Sequence, residues 1–135
     1  MMMPDPVNGR SKDQPILQST SHWTLSPRIV LVEPAGGLNV GSIARVMKNM
    51  GLYRLVLVNP KCDPLGEDAQ RMSVHANDVL TAAEVVSSIP DALNGCQRVV
   101  ATTARDRDLN LPVSSLAPGL TWLLNLSQAS PHTSL

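Results

Sequence analysis

Two short aliphatic runs, Arg28-Ile29-Val30-Leu31-Val32 and Leu55-Val56-Leu57-Val58, bracket a stretch with apolar residues at helical spacing, and that order constrains the fold more than any other feature. Neither run alternates with polar residues, which is the pattern of strands covered on both faces in a parallel sheet. With a helix between them, the second strand returns parallel to the first through a right-handed crossover. Glu33-Pro34 closes the first run and Asn59-Pro60 the second.

Ala35-Gly36-Gly37-Leu38-Asn39 reads as a loop whose glycines permit positive φ and the close approach of another molecule. Asn39 is the expected N-cap of the helix, with Val40, Ile43, Ala44, Met47 and Met50 as its buried stripe and Gly51 as its left-handed C-cap. Arg45 falls on nearly the opposite side from that stripe. Gly66 to Val74 is expected to form a second, weaker helix, with Glu67 and Asp68 placed to complement its dipole. Asn77 to Val86 fits either a helix or a segment ending in a short strand at Val85-Val86. Ser88-Ile89-Pro90-Asp91 opens a short helix that Gly95 closes, and Arg98-Val99-Val100-Ala101-Thr102 is the expected third strand. This alternation defines an α/β sandwich around a parallel sheet.

The chain has 135 residues, enough for one core. Residues 1–25 are rich in Ser, Asp, Asn, Gln and Pro without apolar periodicity and read as a mobile leader. The folded region is expected over 26–108. From Leu109 to Leu135 no charged residue occurs, and this divergent segment reads as a poorly ordered tail in which Leu120-Thr121-Trp122-Leu123-Leu124 could dock on the sheet.

Formal charge balances at zero, which excludes a polycation that binds nucleic acid by bulk electrostatics. The distribution says more than the sum. No Asp or Glu occurs from Pro34 to Cys62, whereas Arg45, Lys48, Arg54 and Lys61 all do, so the first helical unit is locally basic. Such a segment is either a solvated face or a contact for an anionic partner. Cys62 and Cys96 are too few for a disulfide framework, which points to a reducing compartment, and neither a signal peptide nor a bilayer-spanning run is visible; the cytosol is the expected location.

Several chemistries lack support. The dinucleotide fingerprint needs glycine at its first, third and sixth positions; counted from Gly36, the third is Leu38 and only Gly41 completes it. A nucleotide-binding oxidoreductase fragment therefore stands only as an alternative. His22, His75 and His132 have no ligand at metal-binding spacing, and Ser42, Ser73 and Ser87 lack a nucleophile-elbow context.

The combined pattern Asn39-x-Gly41-x-x-x-Arg45-x-x-x-x-x-Gly51 between two apolar strands resembles the first motif of the SpoU/TrmH family of RNA ribose 2'-O-methyltransferases, of the knotted SPOUT superfamily. The similarity is greatest to the TrmJ-like branch that methylates tRNA. It extends through Arg28 to Pro34, Met47-Lys48-Asn49-Met50-Gly51-Leu52, Leu55 to Lys61, and Thr102-Thr103-Ala104-Arg105-Asp106-Arg107.

The resemblance implies S-adenosylmethionine as methyl donor, RNA and specifically tRNA as substrate, and a homodimer in the full-length form. It also implies that Asn39 and Arg45 lie at the RNA-facing active site and that Thr102, Thr103 and Ala104 contact the donor; Lys48, from the locally basic stretch, is a further expected RNA contact. Because a guanidinium is very hard to deprotonate, Arg45 is expected to orient the ribose hydroxyl and neighbouring phosphate and to supply positive charge rather than to act as a base. The family's second motif, with glycine and glutamate, and its asparagine-serine third motif have no counterpart here, and no Gly-x-Glu occurs in the chain. The expected fold is thus the three-layer, Rossmann-like half of a SPOUT domain without the carboxy-terminal trefoil knot, truncated before the donor-binding motifs. A noncatalytic RNA-binding or dimerising module is the alternative of another class.

Overall fold

The computed structural model describes residues 27–103 and 110–124. The leader expected over 1–25, Ala104 to Arg107 and the last eleven positions, 125–135, lie outside the described residues. Three parallel strands form the sheet in the order β1 (Arg28–Val32), β2 (Arg54–Val58), β3 (Glu84–Val86), with Ile29 opposite Leu55 and Val58 opposite Val86. Helices cover both faces, so the α/β, three-layer expectation holds.

On one face, α1 (Gly37–Asn49), α2 (Glu67–Ser73) and α3 (Asn77–Thr81) pack on the sheet, burying Val40, Ala44, Met47, Ala69, Val79 and Leu80 against Leu55 and Leu57. On the other, α4 (Ile89–Leu93) places Ala92 against Val56 and Val58, and the buried set ends there, flanked by half-buried Val30 and Val86. Helix α5 (Leu116–Leu124) lies on this second side. Its buried Gly119 has Val100 Cγ1 3.9 Å from where a Cβ would stand, and Leu123 and Leu124 share a cleft with Arg28 and Val30.

Helix α1 begins earlier than its sequence suggests. Gly36 is the N-cap, in an extended conformation with no side-chain cap, and Asn39 sits inside the first turn, where its N–H donates to the Gly36 carbonyl at 3.1 Å. The cause is tertiary: a Cβ on Gly37 would stand 3.2 Å from the Ala69 nitrogen, and one on Gly41 only 2.3 Å from the Ala69 carbonyl oxygen. Glycine at 37 and 41 lets α1 approach α2 at backbone distance, and the helix starts where that contact starts. Gly41 accordingly joins the buried stripe, while Met50, expected in it, is the C-cap and 71% exposed. The helix ends in a Schellman motif: Leu52 N–H donates to Met47 O at 2.8 Å and Gly51 N–H to Lys48 O at 3.1 Å, with Gly51 at φ 73° as expected. Leu52 and Met47 then meet in the core, the apolar contact that accompanies this cap.

The segment Asn77 to Val86 resolves into both of its readings, helix α3 followed by β3. The expected third strand is therefore misplaced. Glu84–Val86 takes the free edge of β2, and Arg98 to Thr102 has no strand conformation. A strand needs a ladder, and this segment is anchored by side chains instead: the Arg98 guanidinium donates to the Trp122 carbonyl and lies 4.8 Å from the centroid of the Trp122 ring. The helix opened by Ser88 is α4, where Ser88 Oγ accepts from the Asp91 N–H at 3.2 Å and Gly95 follows at φ 79°.

Candidate nucleic-acid interface

Arg45 and Asn39 both stand on the exposed part of α1. Six residues apart on an ideal helix, they are separated by roughly 9 Å along the axis and about 120° around it, so they flank the outer surface on either side. A single small group cannot bridge that span, but a nucleotide with its phosphates can. Among the described residues the Arg45 side chain makes no ion pair and no hydrogen bond. An unpaired guanidinium on a helix with no acid in its first turn is free to bind a planar or tetrahedral oxyanion. Ser42, between the two, donates its hydroxyl to the Leu38 carbonyl at 2.8 Å, a bond internal to the helix.

Lys48 behaves differently. Its Nζ donates to both carboxylate oxygens of Asp78, at 2.9 and 3.0 Å, and to the His75 carbonyl at 2.8 Å. All three ammonium hydrogens have partners, so Lys48 ties α1 to the start of α3. The hydrogen bond from Lys48 holds the Asp78 carboxyl below the ordinary aspartate range.

Between α1 and the Ser73–Ala76 turn lies a cleft of about 180 Å³, with Arg45, Lys48 and Asn49 on one wall and Val74 and His75 on the other. Val74 has φ 55°, ψ −97°, a conformation disfavoured for a β-branched side chain. The turn is fixed on three sides. Ala76 N–H donates to Ser73 O at 2.9 Å, Lys48 holds the His75 carbonyl, and the buried Ser73 hydroxyl bonds Gln70 O and Asn77 Oδ1 at 2.9 and 2.6 Å. Sequence reasoning set His75 aside as a lone histidine. No glycine or Asn-Gly marks the turn, so only the fold brings His75 alongside Arg45.

Thr102 and Thr103 are exposed, in chain without ladder bonds, and Ala104 lies outside the described residues. Neither threonine lines the larger cleft, about 280 Å³, between the β1 side of the sheet and α5. Two exposed hydroxyl groups enclose neither an adenosyl group nor a sulfonium, so the described residues do not by themselves fit S-adenosylmethionine. Cys62 is half-buried and Cys96 exposed, both as free thiols. Among the described residues no three His, Cys, Asp or Glu side chains converge, and no helix is long and apolar enough to cross a membrane.

Residues 26–129 match the family model described as SpoU rRNA Methylase family. The tRNA (cytidine/uridine/adenosine-2'-O-)-methyltransferase TrmJ of Pseudomonas aeruginosa (strain UCBPP-PA14) is 48% identical over 86 residues, which is 64% of this chain and 33% of that protein. The tRNA (cytidine/uridine-2'-O-)-methyltransferase TrmJ of Cronobacter sakazakii (strain ATCC BAA-894) is 44% identical over 103 residues, 76% of this chain and 41% of that one. The crystal structure of TrmJ from Z. mobilis ZM4 superposes with a TM-score of 0.62 at 39% identity, covering 65% of this chain and 39% of the other. The chain thus spans between a third and about two-fifths of the length of these relatives.

Proposed function

Because the chain belongs to the SpoU rRNA Methylase family, we propose that it supplies the RNA-facing part of an S-adenosylmethionine-dependent ribose 2'-O-methyltransferase acting on tRNA. The observation that carries this reading is Arg45: an exposed guanidinium, without a partner among the described residues, on the helix that packs at backbone distance against α2. Arg45 orients the ribose hydroxyl and its neighbouring phosphate and places positive charge where an alkoxide develops. Asn39 contacts the same strand of RNA from the other side of α1. Methyl transfer needs the donor's sulfonium in line with that hydroxyl. Thr102, Thr103 and Ala104 are the residues here that would touch the donor, and no step is assigned to them. With this reading come tRNA as partner, a homodimer in the full-length form and a cytosolic setting.

Binding of a fluorescein-labelled, unmodified tRNA transcript, followed by anisotropy at rising salt, tests the reading. Wild type is expected to bind in a salt-dependent way and Arg45→Ala to bind roughly tenfold more weakly at low salt. A wild-type chain that does not bind tRNA at low salt overturns it. The exposed Thr102 and Thr103, which enclose no adenosyl group, favour one second reading, an RNA-binding module that transfers no methyl group. Incubation of the same complex with radiolabelled S-adenosylmethionine separates the two, since only the enzyme labels the tRNA.

A further inference from the structure

We infer that the cleft between α1 and the Ser73–Ala76 turn is a phosphodiester subsite on the RNA path, in which His75 is a second contact beside Arg45. The inference rests on the RNA-binding reading above and adds a residue and a place to it. None of the residues lining the cleft is acidic. The Asp78 carboxylate, engaged by Lys48, does not line it. Arg45 and Asn49, four apart on α1, project from the same helical face, and His75 faces them across the opening. Arginine, an amide and an imidazole N–H are the donors that bind an RNA phosphate, and an imidazole can donate in either protonation state. Among the described residues the His75 ring makes no hydrogen bond, so its donors are uncommitted.

The backbone conformation gives an independent reason. Val74 sits at positive φ although it is β-branched and 44% exposed, so no burial of its side chain compensates the conformation. Strained residues of this kind persist where their surroundings over-determine them, and they cluster at ligand-binding sites. Here the Lys48 ammonium pulls the His75 carbonyl toward α1 while the Ser73 hydroxyl anchors the turn from below. The result holds position 75 at the cleft, so a phosphate need not order a flexible loop to reach it.

The test uses the full chain and the same labelled tRNA transcript, with His75→Glu and His75→Lys. Both are surface changes, and matched unfolding midpoints establish that the fold is intact. His75→Glu is expected to weaken binding roughly tenfold at low salt and to flatten the dependence of log affinity on log salt by about one ion. His75→Lys is expected to bind at least as tightly as wild type. Unchanged affinity and salt slope in His75→Glu, with Arg45→Ala still weakened, overturns the subsite and leaves the RNA-binding reading standing. Equal weakening by Glu and Lys also overturns it, since charge at position 75 would then not matter. Failure of wild type to bind tRNA at all removes both.

Discussion

The two faces of the sheet are built from the same central strand and differ sharply in how much is packed on them. Leu55 and Leu57 point into a cluster that three helices complete, whereas Val56 and Val58 meet Ala92 and little else that is fully buried. The well-packed face carries Arg45, Lys48 and His75; the thin face lies under α5 and the chain that leads to Thr102 and Thr103. Rigidity and the candidate RNA contacts therefore coincide on one side. A phosphate subsite must hold its donors in fixed geometry, and dense packing beneath α1 does that without help from the other face.

Truncating neighbours on β2 is the most severe challenge to this contrast. Leu57→Ala opens a hole among well-fixed neighbours and is expected to cost about 3–4 kcal/mol, within the range for buried leucine. Val56→Ala is expected to cost about 1.5 kcal/mol, at roughly 0.8 kcal/mol for each carbon lost, because its surroundings can collapse. Urea unfolding of the two variants measures both. A difference no larger than the roughly 0.8 kcal/mol of the one additional carbon would mean that both faces are equally consolidated.

A smaller effect separates Gly36, the N-cap of α1, from Gly41 inside the helix. Gly41→Ala puts a Cβ 2.3 Å from the Ala69 carbonyl and 2.9 Å from Met72 Cβ, so α1 and α2 must part. A cost of about 2–3 kcal/mol is expected, typical of overpacking. A Cβ on Gly36 meets nothing within 4 Å, and its φ is negative, so Gly36→Ala is expected to change stability by no more than about 1 kcal/mol through the N-cap alone. Equal midpoints for the two variants would show that the α1–α2 approach does not depend on glycine.

The same contrast explains what could be read in advance. Helix α1 was legible because its period is carried by residues that do bury, Val40, Ala44 and Met47, and Arg45's exposure follows from that period. Its start was not, because Gly36-Gly37 looks like a loop until Ala69 is known to lie against it. Arg98 to Thr102 has better strand character than Glu84-Val85-Val86, yet β3 forms at the latter, since the ladder goes to the segment that reaches β2's edge. The tie between Lys48 and Asp78 joins residues thirty positions apart, and the Val74 turn carries no glycine. Both are products of helix packing, and they turn an apparent pair of RNA-facing cations into one that is unpaired among the described residues and one brace.

That division of labour between Arg45 and Lys48 has the most delicate consequence. The Lys48 hydrogen bond lowers the folded-state pKa of Asp78, so folding is favoured while the carboxylate is charged. The contribution is fully present above the unfolded aspartate pKa of about 3.9 and is lost as pH falls through the lower folded value. Wild type is therefore expected to lose more stability than Asp78→Asn between pH 5 and pH 3, about one unit either side of that unfolded value. Asp78 is exposed and Lys48 only half-buried, so the gap is small and screened by salt. Thermal midpoints of the two proteins across that window measure it, and other carboxylates cancel in the difference. Parallel curves would mean that the Lys48–Asp78 pair does not hold in solution. Lys48 would then join Arg45 as a free cation, and the turn that presents His75 would lose one of its three anchors.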